Sequence, residues 1–404
     1  MSRFFNPVVI MSLLIFPAVS SWSASDSPQA LDEARRSALD RIEAGQRLDA
    51  VLDLLAALRA IPPDRPDLAA PALGLVQLLL FTNEYLMTNE ECRTLYAGKL
   101  DEKNRPMDRF LVTLMRMTDD TGLQQKEVDE CGRNLFELSW GDHKPVRMGA
   151  LFIMSDPYYY WDTEIGHEAR ERFIKEFPSE YLAQEAQRLP LYMKRKEGVA
   201  GFREVLDRKD NDGNLRPLGQ RLRQDTVGRA IHESTNAGKP GDAVPACMAR
   251  LHQLAAGAGP WAERYAALSL IEAFQDPEHA PAVRKAAEGA LANCDDPRVR
   301  FRAHLIRMSV ARNQGDPAAI IEDAQALLDT EDIPAVPDRI MYEEFKNSIQ
   351  QGSDKLAELG QPAKALQLVE RLAARFPNTL LATKLQEKID PLRAMAQAQT
   401  LSQP

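Results

Sequence analysis

The 404-residue chain has only four cysteines and 7% aromatic residues, and its apolar runs are short. It has no glycine- or serine-rich linker, no low-complexity tract and no long block of one charge, which excludes a fibrous or disordered class. No stretch alternates apolar and polar residues with a period of two, so a sheet of any size is not expected. Catalytic signatures are missing too: there is no G-x-S-x-G elbow, phosphate loop, dinucleotide fingerprint, H-E-x-x-H or haem-attachment motif. The absence of C-x-x-C and C-x-x-H spacings excludes the common zinc sites, and neither cofactor nor metal is expected. The formal net charge of -9 opposes long-range attraction to nucleic acid or anionic lipid. Lys194, Arg195 and Lys196, with Arg216, Arg221, Arg223 and Arg229 further on, are interrupted by Glu197, Asp207 and Asp225, so they describe a solvated helix face.

What is present is helical periodicity. Ala365, Leu368, Val369, Leu372 and Phe376 recur at the three-and-four spacing of one buried helix face. Helices are expected over 29–45, 48–61, 71–87, 106–118, 124–139, 144–155, 163–176 and 179–195, most of them bounded by proline or glycine. The most polar turn, at Asp210, Asn211, Asp212 and Gly213, divides an N-terminal half, 24–207, from a C-terminal half, 214–404. It is not an EF-hand loop, because Arg208 and Gly219 would occupy positions that need carboxylates.

A pattern near both ends organises these helices. Gly45, Ala50, Ala57 and Pro62 have the same offsets as Gly360, Ala365, Leu372 and Pro377. Glycine supplies a left-handed turn between antiparallel helices, the small residue five positions on permits close approach, and the proline ends the second helix. A degraded copy begins at Gly315 with Ile320 and Leu327, and its proline comes late at Pro334. These residues resemble the second half of a tetratricopeptide repeat, giving hairpins near 300–330 and 340–395. Ala34, Ala38, Ile349 and Ser353 depart from the family at its first-helix aromatic and glycine positions. The segments opening at Lys144-Pro145-Val146-Arg147, Ala282-Val283-Arg284-Lys285 and Pro297-Arg298-Val299-Arg300 are similar to HEAT repeats. Both resemblances imply an all-α fold, a right-handed superhelix of stacked antiparallel hairpins.

The N-terminus resembles a bacterial signal peptide: Arg3, then an apolar core from Pro7 to Val19, then small residues suited to cleavage near residue 23. Loss of Arg3 with this leader leaves a net charge of -10, one more negative than -9. A periplasmic or secreted location with no stable membrane insertion follows, and there cysteines form disulfides. Four cysteines allow three connectivities, and because each repeat of a solenoid touches its neighbours, Cys92 with Cys131 and Cys247 with Cys294 are the favoured pairs, with four free buried thiols the alternative.

Three constellations bear on chemistry. Glu164, His167 and Glu168 share a helix face, but no second such motif completes a carboxylate metal site. His232-Glu233-Ser234 is similar to the catalytic region of lytic transglycosylases, with Glu233 as general acid, yet Gly238-Lys239-Pro240-Gly241 departs from that family's continuation. Tyr158, Tyr159, Tyr160 and Trp161 form an aromatic run able to stack on a sugar or grip a peptide. No catalytic residue is assigned. The expected function is an exported, non-enzymatic scaffold that binds a protein or peptide partner. The alternative is an exported lyase or glycosidase on an α/α toroid, with Tyr158 to Tyr160, Glu164 and His167 at its mouth.

Overall fold

The computed structural model describes residues 26–402 except 98, 102, 104, 118–124, 156–162, 210–211 and 335–340. The leader (residues 1–23), the run Tyr158 to Trp161, and Asp210 and Asn211 lie outside the described residues. The described residues form α-helices joined by short turns and carry no strand, only one isolated bridge between Lys209 and Leu215. The first ten helices are α1 (Pro28–Glu43), α2 (Arg47–Arg59), α3 (Ala69–Phe81), α4 (Asn89–Tyr96), α5 (Pro106–Met117), α6 (Gln125–Leu138), α7 (Lys144–Ser155), α8 (Glu164–Glu176), α9 (Tyr181–Met193) and α10 (Gly198–Asp207). There follow α11 (Pro217–Leu222), α12 (Thr226–Asn236), α13 (Ala243–Ala256), α14 (Trp261–Ile271), α15 (Ala280–Asn293), α16 (Pro297–Gln314), α17 (Pro317–Leu328), α18 (Met341–Glu358), α19 (Pro362–Arg375) and α20 (Leu380–Ser402).

Local chemistry sets most boundaries. Ser27, Thr163, Asp225, Asp296 and Asp316 cap helix starts through their side-chain oxygens, satisfying amides that have no partner within the helix. Thr88 and Glu91 form a reciprocal capping box at α4. Gly45, Gly315 and Gly360 adopt φ of +79°, +69° and +71° in the turns after α1, α16 and α18, where an L side chain is strained. The expected helix over 71–87 differs: α3 ends at Phe81, and Thr82–Leu86 forms a π-turn in which Thr82 Oγ1 returns a hydrogen bond to the Leu78 carbonyl at 2.7 Å.

The alanines and the leucine of the shared spacing are buried. Ala50, Ala365 and Leu372 have no exposed surface, and Ala57 almost none. Ser353, also fully buried, donates to the Ala365 carbonyl at 3.0 Å, so α18 and α19 meet at that residue. Pro62 and Pro377 lie just beyond α2 and α19.

Helices pack chiefly on their neighbours in sequence. A second set of contacts links α3 to α7, α7 to α9, α9 to α14, α14 to α16, α16 to α18, and α18 back to α3. Phe301 faces Phe345 at 6.0 Å near the starts of α16 and α18, and further along both helices Gly352 approaches the Met308 sulfur, so the two run parallel.

The chain ends meet. Arg35 on α1 is buried and donates to the Ile333 carbonyl at 2.7 Å, Asp332 at 2.8 Å and the Tyr342 hydroxyl at 3.1 Å. Glu43 accepts from Arg375 Nε at 2.7 Å, and a Cβ at Gly45 would sit 3.1 Å from Asn378 Nδ2. The turn that opens the first repeat-like copy thus rests on the turn that closes the last. Phe81 adds rings, 5.4 Å from Tyr342 and 5.7 Å from Phe376. The apolar core accordingly falls into one cluster gathered from both chain ends and a second from the middle, Leu191 to Val310, and does not divide at the polar turn near 210.

All four cysteines are free thiols, which corrects the expected pairs Cys92–Cys131 and Cys247–Cys294. The Cys92 sulfur faces the Asn83 carbonyl at 3.8 Å and the Cys131 sulfur faces that of Thr113, also at 3.8 Å. Cys247 lies two helical turns, about 12 Å, before Ala255 on α13. Cys294 follows Asn293, whose carbonyl shares Arg264 with that of Ala255. A bridge requires Cα atoms about 4.4–6.8 Å apart. Burial pushes the Cys247 thiol up to about 12 and also raises those of Cys92 and Cys131.

Candidate functional site

The richest constellation of charged and aromatic side chains runs across the parallel helices. The π-turn after α3 carries Glu84 and Tyr85; Glu343, Glu344 and Lys346 lie near the start of α18. Lys346 Nζ sits 3.5 Å from the centre of the Tyr85 ring, and the Tyr85 hydroxyl faces Glu84 and Glu343. Burial first, then those two carboxylates, holds this phenol well above the usual tyrosine range, so it remains a neutral donor. Next along the seam, Arg302 of α16 forks to Glu344 at 2.9 Å and Glu272 at 2.6 Å, beneath Tyr265 at 5.9 Å. Then Arg298 covers the Trp261 ring at 3.7 Å, with the Tyr181 ring 4.7 Å from it and tilted by 50°. Asp296 binds Arg298 through both oxygens, at 3.0 and 2.6 Å. Cation, aromatic ring and carboxylate alternate, so the charges bind one another.

Two buried networks lie beyond the seam. Arg188 joins Glu185 at 2.9 Å to Asp225 at 2.7 Å, and Tyr192 donates to Glu185 at 3.0 Å. Burial raises the Glu185 carboxyl, while Arg188 opposes that shift. His304 Nδ1 lies 2.9 Å from Asp323, which burial likewise raises. The first network ties α9 to the start of α12, and the second ties α16 to α17.

Arginines also cap helix ends from neighbouring helices. Arg264 donates to the Ala255 and Asn293 carbonyls, Arg170 to Ser155, Arg172 to Ser139, and Arg375 to Leu327, Leu328 and Thr330. The last carbonyls of a helix lack internal partners and carry the negative end of its dipole, so a buried guanidinium is stabilised there. Sequence periodicity gives no sign of these clamps, because a solvated arginine and a capping one look alike.

The candidate residues do not converge. Glu164 and Glu168 are exposed on α8, His167 lies beside Arg170, and Glu233 is exposed on α12, a different helix. His232 accompanies Asn236, and burial followed by the nearby Arg223 lowers its imidazole. Three of the basic positions are paired: Lys194 with Glu197 and Glu204, Arg221 with Glu171, and Arg223 with Asp207. Among the described residues no group of three His, Cys, Asp or Glu side chains is placed to hold a metal ion, and no helix is long and apolar enough to cross a membrane.

No family model, curated protein or solved structure matches this chain.

Proposed function

We propose that this chain is an exported, tetratricopeptide-like scaffold of stacked helix hairpins that binds a protein or peptide partner without chemistry of its own. The observation that carries the reading is the state of the acids: Glu272, Glu344 and Asp296 of the seam are held by arginines, Glu84 and Glu343 face the Tyr85 hydroxyl, and Glu164 and Glu233 stand exposed on separate helices. General acid catalysis asks instead for a poised group facing a second one across a cleft. The left-handed glycine turns and buried small residues support the repeat assignment. The apolar leader supports export.

One observation favours the alternative, a carbohydrate-active enzyme on an α/α toroid: the series from α3 through α7, α9, α14, α16 and α18 returns to α3. The two readings separate when the mature protein is cross-linked in envelope extracts and, in parallel, offered polysaccharides. The scaffold reading expects a discrete cross-linked partner and no turnover. Turnover that is lost in Glu344→Gln, with no partner captured, overturns it.

A further inference from the structure

We propose that the outward face of α8, with Trp140 laid across it, docks a basic amphipathic helix of a partner protein. The proposal rests on the scaffold reading and names the surface and chemistry of its partner.

Trp140 follows α6 and is 55% exposed. Its orientation is nonetheless fixed. The Arg172 guanidinium lies 3.4 Å from the ring centre, anchored by hydrogen bonds to the Ser139 hydroxyl at 3.1 Å, the Ser139 carbonyl at 3.0 Å and Glu176 at 3.3 Å. Phe136 meets the same indole edge-on at 6.2 Å. One face of the ring is therefore held and the other open. An aromatic already immobilised in the free protein loses little side-chain entropy on binding, which is the condition for a strong anchor.

Ile165, 40% exposed, is the second anchor. It precedes Arg172 by seven residues, two helical turns or roughly 10 Å, and lies on the same side of α8. Gly166, Ala169, Arg170 and Phe173 form the buried side, so the outward direction is set by packing. Ile165 and the indole that lies on Arg172 give two apolar anchors along this face, for successive apolar positions of a partner helix.

Charge chooses the partner. Glu164 and Glu168 are exposed, one turn apart beside Ile165, and among the described residues neither makes an ion pair or side-chain hydrogen bond. Lys175 is exposed at the other end of the same face, while Arg172 and Arg147 are bound to Glu176. A partner helix with Lys or Arg beside the two glutamates gains complementary contacts, and the molecule's net charge of -9 favours its approach. A neutral sugar would use the indole and leave the carboxylate pair idle.

The test uses the mature chain and two synthetic peptides of about five helical turns. Both carry leucines seven residues apart; one has lysine at its polar positions, the other glutamate. Fluorescence anisotropy should show the lysine peptide binding at least about tenfold tighter, and Trp140→Ala should weaken it by roughly the same factor. The double variant Glu164→Lys with Glu168→Lys should invert the preference, which a folding defect would not do. Equal binding of the two peptides, indifference to Trp140→Ala, or occupation of Trp140 by a neutral oligosaccharide instead would overturn the proposal. A photo-cross-linker at position 168 separates the two levels. A partner captured elsewhere but not from 168 sinks this surface alone, whereas no partner from any position sinks the scaffold reading.

Discussion

Asp323 is fully buried between α16 and α17, with His304 Nδ1 at 2.9 Å on one oxygen and Arg307 Nε at 3.4 Å from the other. Burial is the largest influence on this carboxyl and raises it; His304 and Arg307 oppose the shift, and Glu322 adds to it. The folded protein therefore takes up a proton at a pH where the unfolded chain, whose aspartates titrate near 3.9, does not. This group's contribution to stability rises as pH falls through that interval, and at neutral pH its ionised form carries a desolvation cost. Asp323→Asn keeps an acceptor for His304 and removes the charge. At neutral pH we expect it to change stability by less than about 1 kcal/mol, and wild type should gain on the variant as pH is lowered toward about 4. Urea midpoints across that range measure this; a gap moving in the variant's favour would sink the sign argument.

Among the helices, ends matter as much as faces. Pro106 and Thr163 mark the starts of α5 and α8 locally, and α5, α6, α7, α8 and α9 begin and end within about two residues of the expected spans. The finish of α3 was not legible, since Thr82 diverts the backbone into a π-turn that apolar periodicity cannot register. Nor were the clamps. Arg264 is nearly buried and joins the ends of α13 and α15 through carbonyls at 3.0 Å each. Arg264→Met keeps most of the apolar stem but leaves those carbonyls unpaired, and we expect a loss of about 2–3 kcal/mol. Thermal unfolding checks it: an unchanged midpoint would mean that water replaces the guanidinium at no cost.

Across the whole molecule, the two ends of the chain share one core. Arg35 reaches partners 297, 298 and 307 positions away. Burial raises its partner Asp332, and Arg35 opposes that rise. Removing a buried cation from such a set costs about 3 kcal/mol. Arg35→Ala should therefore loosen both ends together: native-state hydrogen exchange would speed up in α1, α18 and α19 while α12, α13 and α15, in the other core cluster, keep their protection. Acceleration confined to α1 would show that the ends open independently.

The sequence by itself determined the helical class, the spans of α5 to α9, the buried face of α19 and the turns at Gly45, Gly315 and Gly360. Each depends on periodicity or on the φ preference of a single residue, and such information is local. Tertiary structure alone decided that the Gly45 turn rests on Asn378, that the four thiols are free, and that arginines spaced like solvated ones cap the ends of other helices. Those outcomes depend on which helices become neighbours, and no interval of sequence records a contact made across some three hundred residues.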